Sequence, residues 1–361
     1  MNINAEIYDG ELVSILGPSG SGKTTLLNTI AGFIKPKSGD IKISNFNSIN
    51  DIDIGFVFQN SILYEEISVY KNIYLSLINS FHQYYSTYLD CYLKNDVIDN
   101  NKYQELKNLL EKSHQDQKLK IQFKKELFLI NLPLFFKENK KYFAFKRTLK
   151  QSIRQQIFDI ANRLNITDIL NSKASNLSGG QRQRVAIAKS LIKRVKLILL
   201  DEPFASLDAK IKEKSRDWLR TIQKEFAITM ILVTHDQNDA MLVSDRIMFI
   251  NQKTIAQFDK PDTIYNHPVD LSTAKFIGFP EIIKIANKND LYIRPDNLLI
   301  NKDEASTIKI KDIQNMGAQD IIEFSSDLFE SSVKVIVKAN SFRIGDQISV
   351  TYDENKALVL K

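Results

Sequence analysis

Gly17-Pro18-Ser19-Gly20-Ser21-Gly22-Lys23-Thr24 is a full G-x-x-x-x-G-K-[ST] octapeptide, and its neighbours on both sides are the ones that motif needs. Residues 11–16 (Glu-Leu-Val-Ser-Ile-Leu) read as a short buried strand. From Thr24 to Ala31, Leu26, Leu27 and Ile30 recur at helical spacing. Strand, glycine-rich turn and helix in that order build a cradle for a triphosphate. Such a ligand needs many donors in a small concave space. Glycines let consecutive backbone N–H groups turn inward, and the following helix adds its positive end. The expected nucleotide contacts are therefore Gly17, Pro18, Ser19, Gly20, Ser21 and Gly22, followed by Lys23, Thr24 and Thr25. Lys23 reaches the β/γ-phosphates in this reading, and the Thr24 hydroxyl ligates Mg²⁺. A flexible Gly/Ser turn is the competing reading, and the flanking strand and helix argue against it.

Working outward, Leu197 to Leu200 is an apolar run that ends in Asp201-Glu202. An acid at the end of a buried strand sets a carboxylate beside the loop, where it can hold Mg²⁺, and Glu202 follows it toward the γ-phosphate. Further strands are expected at Ile54–Phe58, Thr229–Val233 and Ile247–Ile250, with helices at Arg182–Ile192 and Ala209–Glu225. Alternating buried strands and helices imply a largely parallel sheet covered on both faces. Residues 61–160 read as mainly helical. After Phe279-Pro280 the texture changes to short β-rich runs parted by Asn, Asp, Gly and Ser, which predicts a small separate β-barrel or sandwich.

The fold class is thus α/β: a phosphate-loop ATPase core with a helical subdomain, plus a small C-terminal β-barrel-like domain. The expected divisions are an ATPase domain at 1–255, a linker at 256–280 and a β domain at 281–361. Within the first, the helical subdomain covers 61–176 and includes an insertion at about 80–155.

Length and composition agree with this division. The chain has 361 residues, 43% of them hydrophobic and 25% charged, which fits about two globular domains and excludes a disordered or collagen-like chain. Its net charge of +6 is unevenly placed. Between Lys102 and Lys150 thirteen Lys or Arg face five acids, so the remainder is slightly acidic and a general nucleic-acid function loses its support. The single cysteine, Cys91, fits a reducing compartment. The first residues lack a basic start followed by an apolar stretch, so no secretory signal is expected. The apolar stretch Leu127–Phe136 is about half of what a spanning helix needs.

At Leu177-Ser178-Gly179-Gly180-Gln181 the chain resembles the signature of the ABC ATPases. The resemblance continues through Gln181-Arg182-Gln183-Arg184, Asp201-Glu202-Pro203, Ser206-Leu207-Asp208 and Thr234-His235-Asp236, in the family's order. It covers nearly everything except residues 80–160. What it implies attaches residue by residue. Glu202 resembles the catalytic base, and His235 the switch residue that contacts the γ-phosphate. Gln59 resembles the glutamine that touches Mg²⁺ and the attacking water and senses the membrane partner. Ser178, Gly179, Gly180 and Gln181 resemble the segment that closes over ATP held by a second subunit, and Asp208 the cross-dimer aspartate. Thr24, Gln59 and Asp201 are then the metal contacts.

The resemblance implies ATP and Mg²⁺ as cofactors, a homodimer, and turnover by ATP hydrolysis. The partners it implies are transmembrane permease subunits and an extracellular solute-binding protein, with the chain peripheral on the cytoplasmic face of the membrane. Ala31-Gly32-Phe33, Gln59-Asn60 and Ser68-Val69-Tyr70 look like the sugar and polyamine importer ATPases. The tail, with Ile293-Arg294-Pro295-Asp296 and Gly345-Asp346, resembles the OB-like regulatory domain of the maltose and glycerol-phosphate type subunits. Carbohydrate or glycerol-phosphate uptake is therefore expected first and polyamine uptake second. Two rival functions stand beside these: a soluble ABC ATPase outside transport, and a non-hydrolysing regulatory subunit.

Two departures accompany the resemblance. Only sixteen residues precede Gly17, fewer than the family's N-terminal strand and adenine-stacking aromatic need, and Tyr8 is not assigned to adenine. Either the start is misplaced or the adenine contact is weaker. The second is the surplus at 80–155. It reads as an enlarged helical subdomain with a solvated basic face, or as a surface that meets the membrane partner or anionic lipid. Asn287-Lys288-Asn289-Asp290 mimics a guanine-reading motif, and Asn165-Ile166-Thr167 and Asn176-Leu177-Ser178 mimic glycosylation acceptors; their contexts argue against both.

Overall fold

A computed structural model describes residues 3–43, 54–113, 116–205 and 207–360. Ser206 of the Ser-Leu-Asp motif lies outside the described residues. Two compact units divide the chain: Glu6–Val13 with Gly22–Thr234, and Met1–Ala5 and Ser14–Ser21 with His235–Lys361. The cut falls inside strand β1 (Leu12–Leu16), whose five residues are all buried, and inside the glycine-rich loop.

In the first of these units, helix α1 (Lys23–Ile30) follows the loop. Strand β2 (Ile54–Val57) leads to helices α2 (Val69–Asn79), α3 (Phe81–Lys94), α4 (Asn100–Lys112), α5 (Gln117–Lys137), α6 (Asn139–Arg163) and α7 (Gly179–Leu191). Strand β3 (Leu197–Asp201), helix α8 (Ala209–Phe226) and strand β4 (Thr229–Val233) complete it. β2, β3 and β4 are parallel neighbours, with Val57 opposite Leu200 and Asp201 opposite Val233. Leu197 to Leu200 are buried on both faces, as the unbroken apolar run requires.

The surplus of the sequence is the α3–α6 bundle. On α6 the buried residues are Phe145, Leu149, Ile153, Ile157 and Ala161, a strict four-residue repeat that winds slowly round the helix and packs on α3, α5 and α2. Opposite it lies an aromatic cluster. Tyr88 contacts Tyr92 and Phe145 edge-on with centroids 4.9 and 4.8 Å apart, and Tyr85 meets Phe123 at 5.3 Å. Among the described residues no helix is long and apolar enough to cross a membrane.

The second unit contains helix α9 (Gln237–Val243) and the antiparallel hairpin of β5 (Arg246–Asn251) and β6 (Thr254–Asp259). Its two turn residues, Gln252 and Lys253, both have positive φ, 46° and 66°, which matches a primed turn and the twist of the strands. The stretch read as a linker holds the end of β6 and helices α10 (Pro261–Asn266) and α11 (Leu271–Phe276). The C-terminal β domain follows with strands β7 (Ile283–Lys284), β8 (Leu291–Ile293), β9 (Leu298–Lys302), β10 (Ile310–Asn315), β11 (Gln319–Phe324), β12 (Val333–Lys338), β13 (Ile348–Tyr352) and β14 (Leu358–Val359). They pair as β10-β11-β12, β13-β9 and β14-β8-β7 around a core that includes Ile293, Ile322, Phe324, Val333 and Ile348.

Arg294 ties this domain to the helices before it. Its guanidinium is buried, donates to the carbonyls of Ala274 and Tyr265 at 2.8 and 2.9 Å and to that of Ile277, and stacks 4.4 Å from the Tyr265 ring. A rigid fork of donors can serve three carbonyls at the end of α11 and of α10 at once; a lysine could not.

Candidate active site

α1 opens without a side-chain cap. Its N-cap residue is Gly22, in the left-handed region at φ 99°, and no acidic residue occupies the first turn. The helix's own N-cap and first turn thus supply no side chain to answer its positive end. Lys23, the first helical residue, is buried at 8% exposure. Burial pushes its ammonium below the ordinary lysine range, while the charges of Glu202 and Asp201 pull it back up. Asp201 ends β3, and burial raises its carboxyl above the ordinary range; the charge of Glu202 adds to this and Lys23 opposes it.

Lys23, Asp201 and Glu202 thus form one electrostatic cluster at the carboxyl end of β3. Formally it holds one cation and two carboxylates, the wrong balance for a polyanion alone. A divalent cation restores the balance. Magnesium is usually bound through one or two carboxylates together with substrate phosphates. Asp201 and the exposed Thr24 hydroxyl fit that donor set, and among the described residues no cluster of three His, Cys, Asp or Glu competes to hold a metal without the phosphates.

Glu202 has a backbone the sequence did not announce. Its φ is +45°, rare for a residue with a side chain, and its N–H donates to the Val233 carbonyl at 2.9 Å. The bond to β4 holds the residue where the strand stops, and strain of this kind gathers at functional sites. Gln59 lies two residues beyond β2 and is exposed. Because Val57 is opposite Leu200, Gln59 leaves the sheet at the end where Asp201 leaves it.

The signature residues have a local role here. Ser178 caps α7: its hydroxyl accepts from Gln181 N–H at 3.4 Å, and the Gln181 carbonyl oxygen accepts from Ser178 N–H at 3.0 Å. Ser178 and Gly179 are exposed and Gly180 is half-buried. Asp208 caps α8, accepting from Ile211 N–H at 3.0 Å.

Gly17 to Ser21 belong to the other unit. A side chain at Gly17 would put its Cβ 2.2 Å from the Ile250 carbonyl oxygen, so only glycine fits there. Ser21 is buried, and its hydroxyl has no hydrogen-bond partner among the described residues, an orphan donor in the middle of the loop. Pro18, Ser19 and Gly20 are exposed. His235 lies in the same unit, in the wall of a cavity of about 770 Å³ shared with Gln237, Tyr265, Phe279 and Gln319.

One feature escaped sequence reasoning altogether. A groove of about 380 Å³ is lined by Phe33, Phe56, Phe58, Ile62 and Tyr64 with Lys189 and Lys193. Phe33 and Phe58 stack with centroids 6.4 Å apart, and Phe56 lies 4.2 Å from Phe58. The available signal was the trio of phenylalanines flanking Gln59 and following the phosphate-loop helix.

A model of the ABC transporter family matches residues 1–205. The chain belongs to the ABC transporter family. A spermidine/putrescine import ATP-binding protein of Mycoplasmopsis synoviae is 30% identical to this ABC chain, over 100% of it and 91% of the relative. One of the same description from Mesomycoplasma hyopneumoniae is 37% identical over 76% of this chain and 69% of its own. A sulfate/thiosulfate import ATP-binding protein of Pectobacterium atrosepticum is 30% identical, over 96% and 90%. The ABC chain is accordingly the ATP-hydrolysing, ATP-binding subunit of an importer. The expectation of a carbohydrate importer finds no counterpart in these relatives' names.

Proposed function

We propose that the ABC chain is one half of a Mg-ATP sandwich that drives uptake of a polyamine. The observation that carries the first part is the cluster of buried Lys23 with Asp201 and Glu202 beside an uncapped helix start. Lys23, the backbone N–H groups of the Gly17–Gly22 loop (all but that of Pro18, which has none) and Thr25 hold the phosphates, with Ser21 offering its unused hydroxyl. Thr24, Asp201 and Gln59 are the residues that would hold Mg²⁺. The ion, when bound, neutralises phosphate charge and fixes its geometry. Glu202 accepts the proton of the attacking water, Gln59 orients that water, and His235 contacts the γ-phosphate. Ser178 to Gln181 and Asp208 close on the nucleotide of a second copy, which agrees with the exposed start of α7.

Two copies, transmembrane permease subunits and an external solute-binding protein make up the proposed assembly, with this chain on the cytoplasmic face. The groove around Phe33 and Tyr64 supports a membrane-subunit contact, since it offers exposed apolar surface beside Gln59.

The solute reading rests on the relatives named for spermidine and putrescine, one of them 37% identical. Sulfate is the second reading, on the Pectobacterium relative. Sedimentation of the Glu202→Gln chain with Mg-ATP tests the sandwich: a dimer is expected with ATP and a monomer with ADP. Persistence of the monomer with ATP rejects it. For the solute, the complex rebuilt in liposomes should take up labelled spermidine in an ATP-dependent way. Uptake of labelled sulfate or maltose instead reassigns the solute and leaves the sandwich standing.

A further inference from the structure

α5 is apolar on two sides. Phe123, Leu127 and Leu134 turn into the bundle and are buried. Phe128, Leu132, Phe135 and Phe136 return at helical spacing on another side, and that side is open to solvent. Phe128 is 62% exposed and Phe136 72%, and the start of α6 adds Phe143 at 63%. A surface helix of a globular protein normally carries one apolar stripe, toward its core. The second stripe here runs along the outside of a two-helix hairpin, and large contiguous apolar surface of this kind marks an interaction site.

The charge around the stripe selects the partner. From Lys118 to Arg147 nine lysine or arginine side chains face two glutamates. Both glutamates are already engaged, Glu126 with Lys102 at 3.0 Å and Glu138 with Lys141 at 3.5 Å. Lys118, Lys124 and Lys125 recur on the exposed side of α5, and Lys137, Lys140 and Lys141 surround the turn into α6. Long cationic side chains beside exposed phenylalanines fit an anionic plane with an apolar interior. The rings enter the acyl boundary while the ammonium groups stay among phosphates. α5 cannot cross that plane: it carries five lysines together with Asn131 and Pro133, and no described helix qualifies as a span.

We propose that the α5–α6 hairpin is an interfacial anchor that lies on an anionic lipid surface, with Phe128, Phe135, Phe136 and Phe143 below the headgroups. The inference uses none of the residues assigned to ATP, so it stands or falls apart from them.

Flotation of the full chain with lipid vesicles tests it. Vesicles containing phosphatidylglycerol should bind the protein, and pure phosphatidylcholine vesicles should bind it at least about tenfold more weakly. Roughly 0.5 M salt should weaken the former. The variant Phe135→Ser/Phe136→Ser/Phe143→Ser, whose sites are exposed, should lose about tenfold or more in partition while hydrolysing ATP in solution like the parent. Lys137→Glu/Lys140→Glu/Lys141→Glu should act in the same direction. No vesicle binding, equal binding to neutral vesicles, or full binding by both variants overturns the proposal. So does a hairpin that binds only the purified membrane subunits, since the stripe then faces protein.

Discussion

Glu202 combines a left-handed backbone at φ 45° with a position next to buried Asp201 and Lys23. Replacing it by glutamine keeps the shape and the main-chain bond to Val233 but removes the proton acceptor. Turnover should fall by about 10² or more, the usual share of a positioned general base, while ATP affinity is kept because one repelling charge has gone. A fall of under roughly threefold in kcat, less than about 1 kcal/mol of barrier, removes the role. Asp201 gives a prediction of opposite sign for stability. Burial raises its carboxyl above the ordinary 3.8, so ionisation costs the folded state stability as pH rises from the ordinary value through the raised one. Asp201→Asn should therefore raise the Tm of the nucleotide-free chain near pH 7 and abolish Mg-dependent hydrolysis. The Tm gain should shrink as pH falls toward 3.8, where the native side chain is itself neutral. A lower Tm at neutral pH argues against the burial account. Both acids were legible in the sequence as a strand end. The strained φ was not, because it arises from a hydrogen bond to β4, more than thirty residues further along.

At the scale of elements, Ser178 separates local from intermolecular work. It is the cap of α7 and also the residue proposed to meet a second copy's ATP. Ser178→Ala removes the cap and should cost about 1 kcal/mol of stability. Ser178→Asp keeps a capping oxygen, so stability should stay within about 0.5 kcal/mol of the parent. It also puts a negative charge toward a polyphosphate, so ATPase activity should be lost. Thermal melts and ATP hydrolysis of the two variants decide; an active Asp variant would falsify the cross-chain role. Several elements were readable from pattern alone: β4 matches its expected run, the chain after Phe279-Pro280 forms short strands, and the insertion is helical as its spacing implied. Leu127–Phe136 was harder, because Asn131 and Pro133 look like breakers. The helix passes through both. The Asn131 amide donates to Leu127 O at 2.9 Å and to the Tyr88 hydroxyl at 3.0 Å, a partner 43 positions away that local sequence cannot supply. The helix also continues past Pro133 to Lys137, with Leu134 buried beside it. β9 went unread for a related reason: five residues with a polar end acquire their identity from pairing with β13, Leu298 against Tyr352.

For the molecule as a machine, hydrolysis has to be felt by another protein, and the groove beside Gln59 is the surface proposed for that. Phe33, Ile62 and Tyr64 are 63%, 62% and 60% exposed, an unusual concentration for side chains of that size. The groove floor includes β2 and α7, and Lys189 of α7 donates to the Ile62 carbonyl at 2.9 Å. Burial lowers the pKa of this ammonium, and the bond to the Ile62 carbonyl is what ties it to the groove. Force applied to Ile62 or Tyr64 therefore acts on the helix that begins at Ser178 and on the strand that ends two residues before Gln59. An aspartate at Ile62 puts a charge into an apolar contact and should cost the contact several kcal/mol, yet it touches no group of the Lys23 cluster. Ile62→Asp should leave basal ATP hydrolysis of the isolated chain within about twofold. In the assembled transporter the same change should reduce solute-stimulated hydrolysis and uptake together by about tenfold or more, since a loss of 1.4 kcal/mol in contact free energy already gives that factor. Full stimulation in the variant complex means the membrane subunits grip another surface. Loss of basal activity in the isolated chain means the groove belongs to the catalytic core and is no coupling surface.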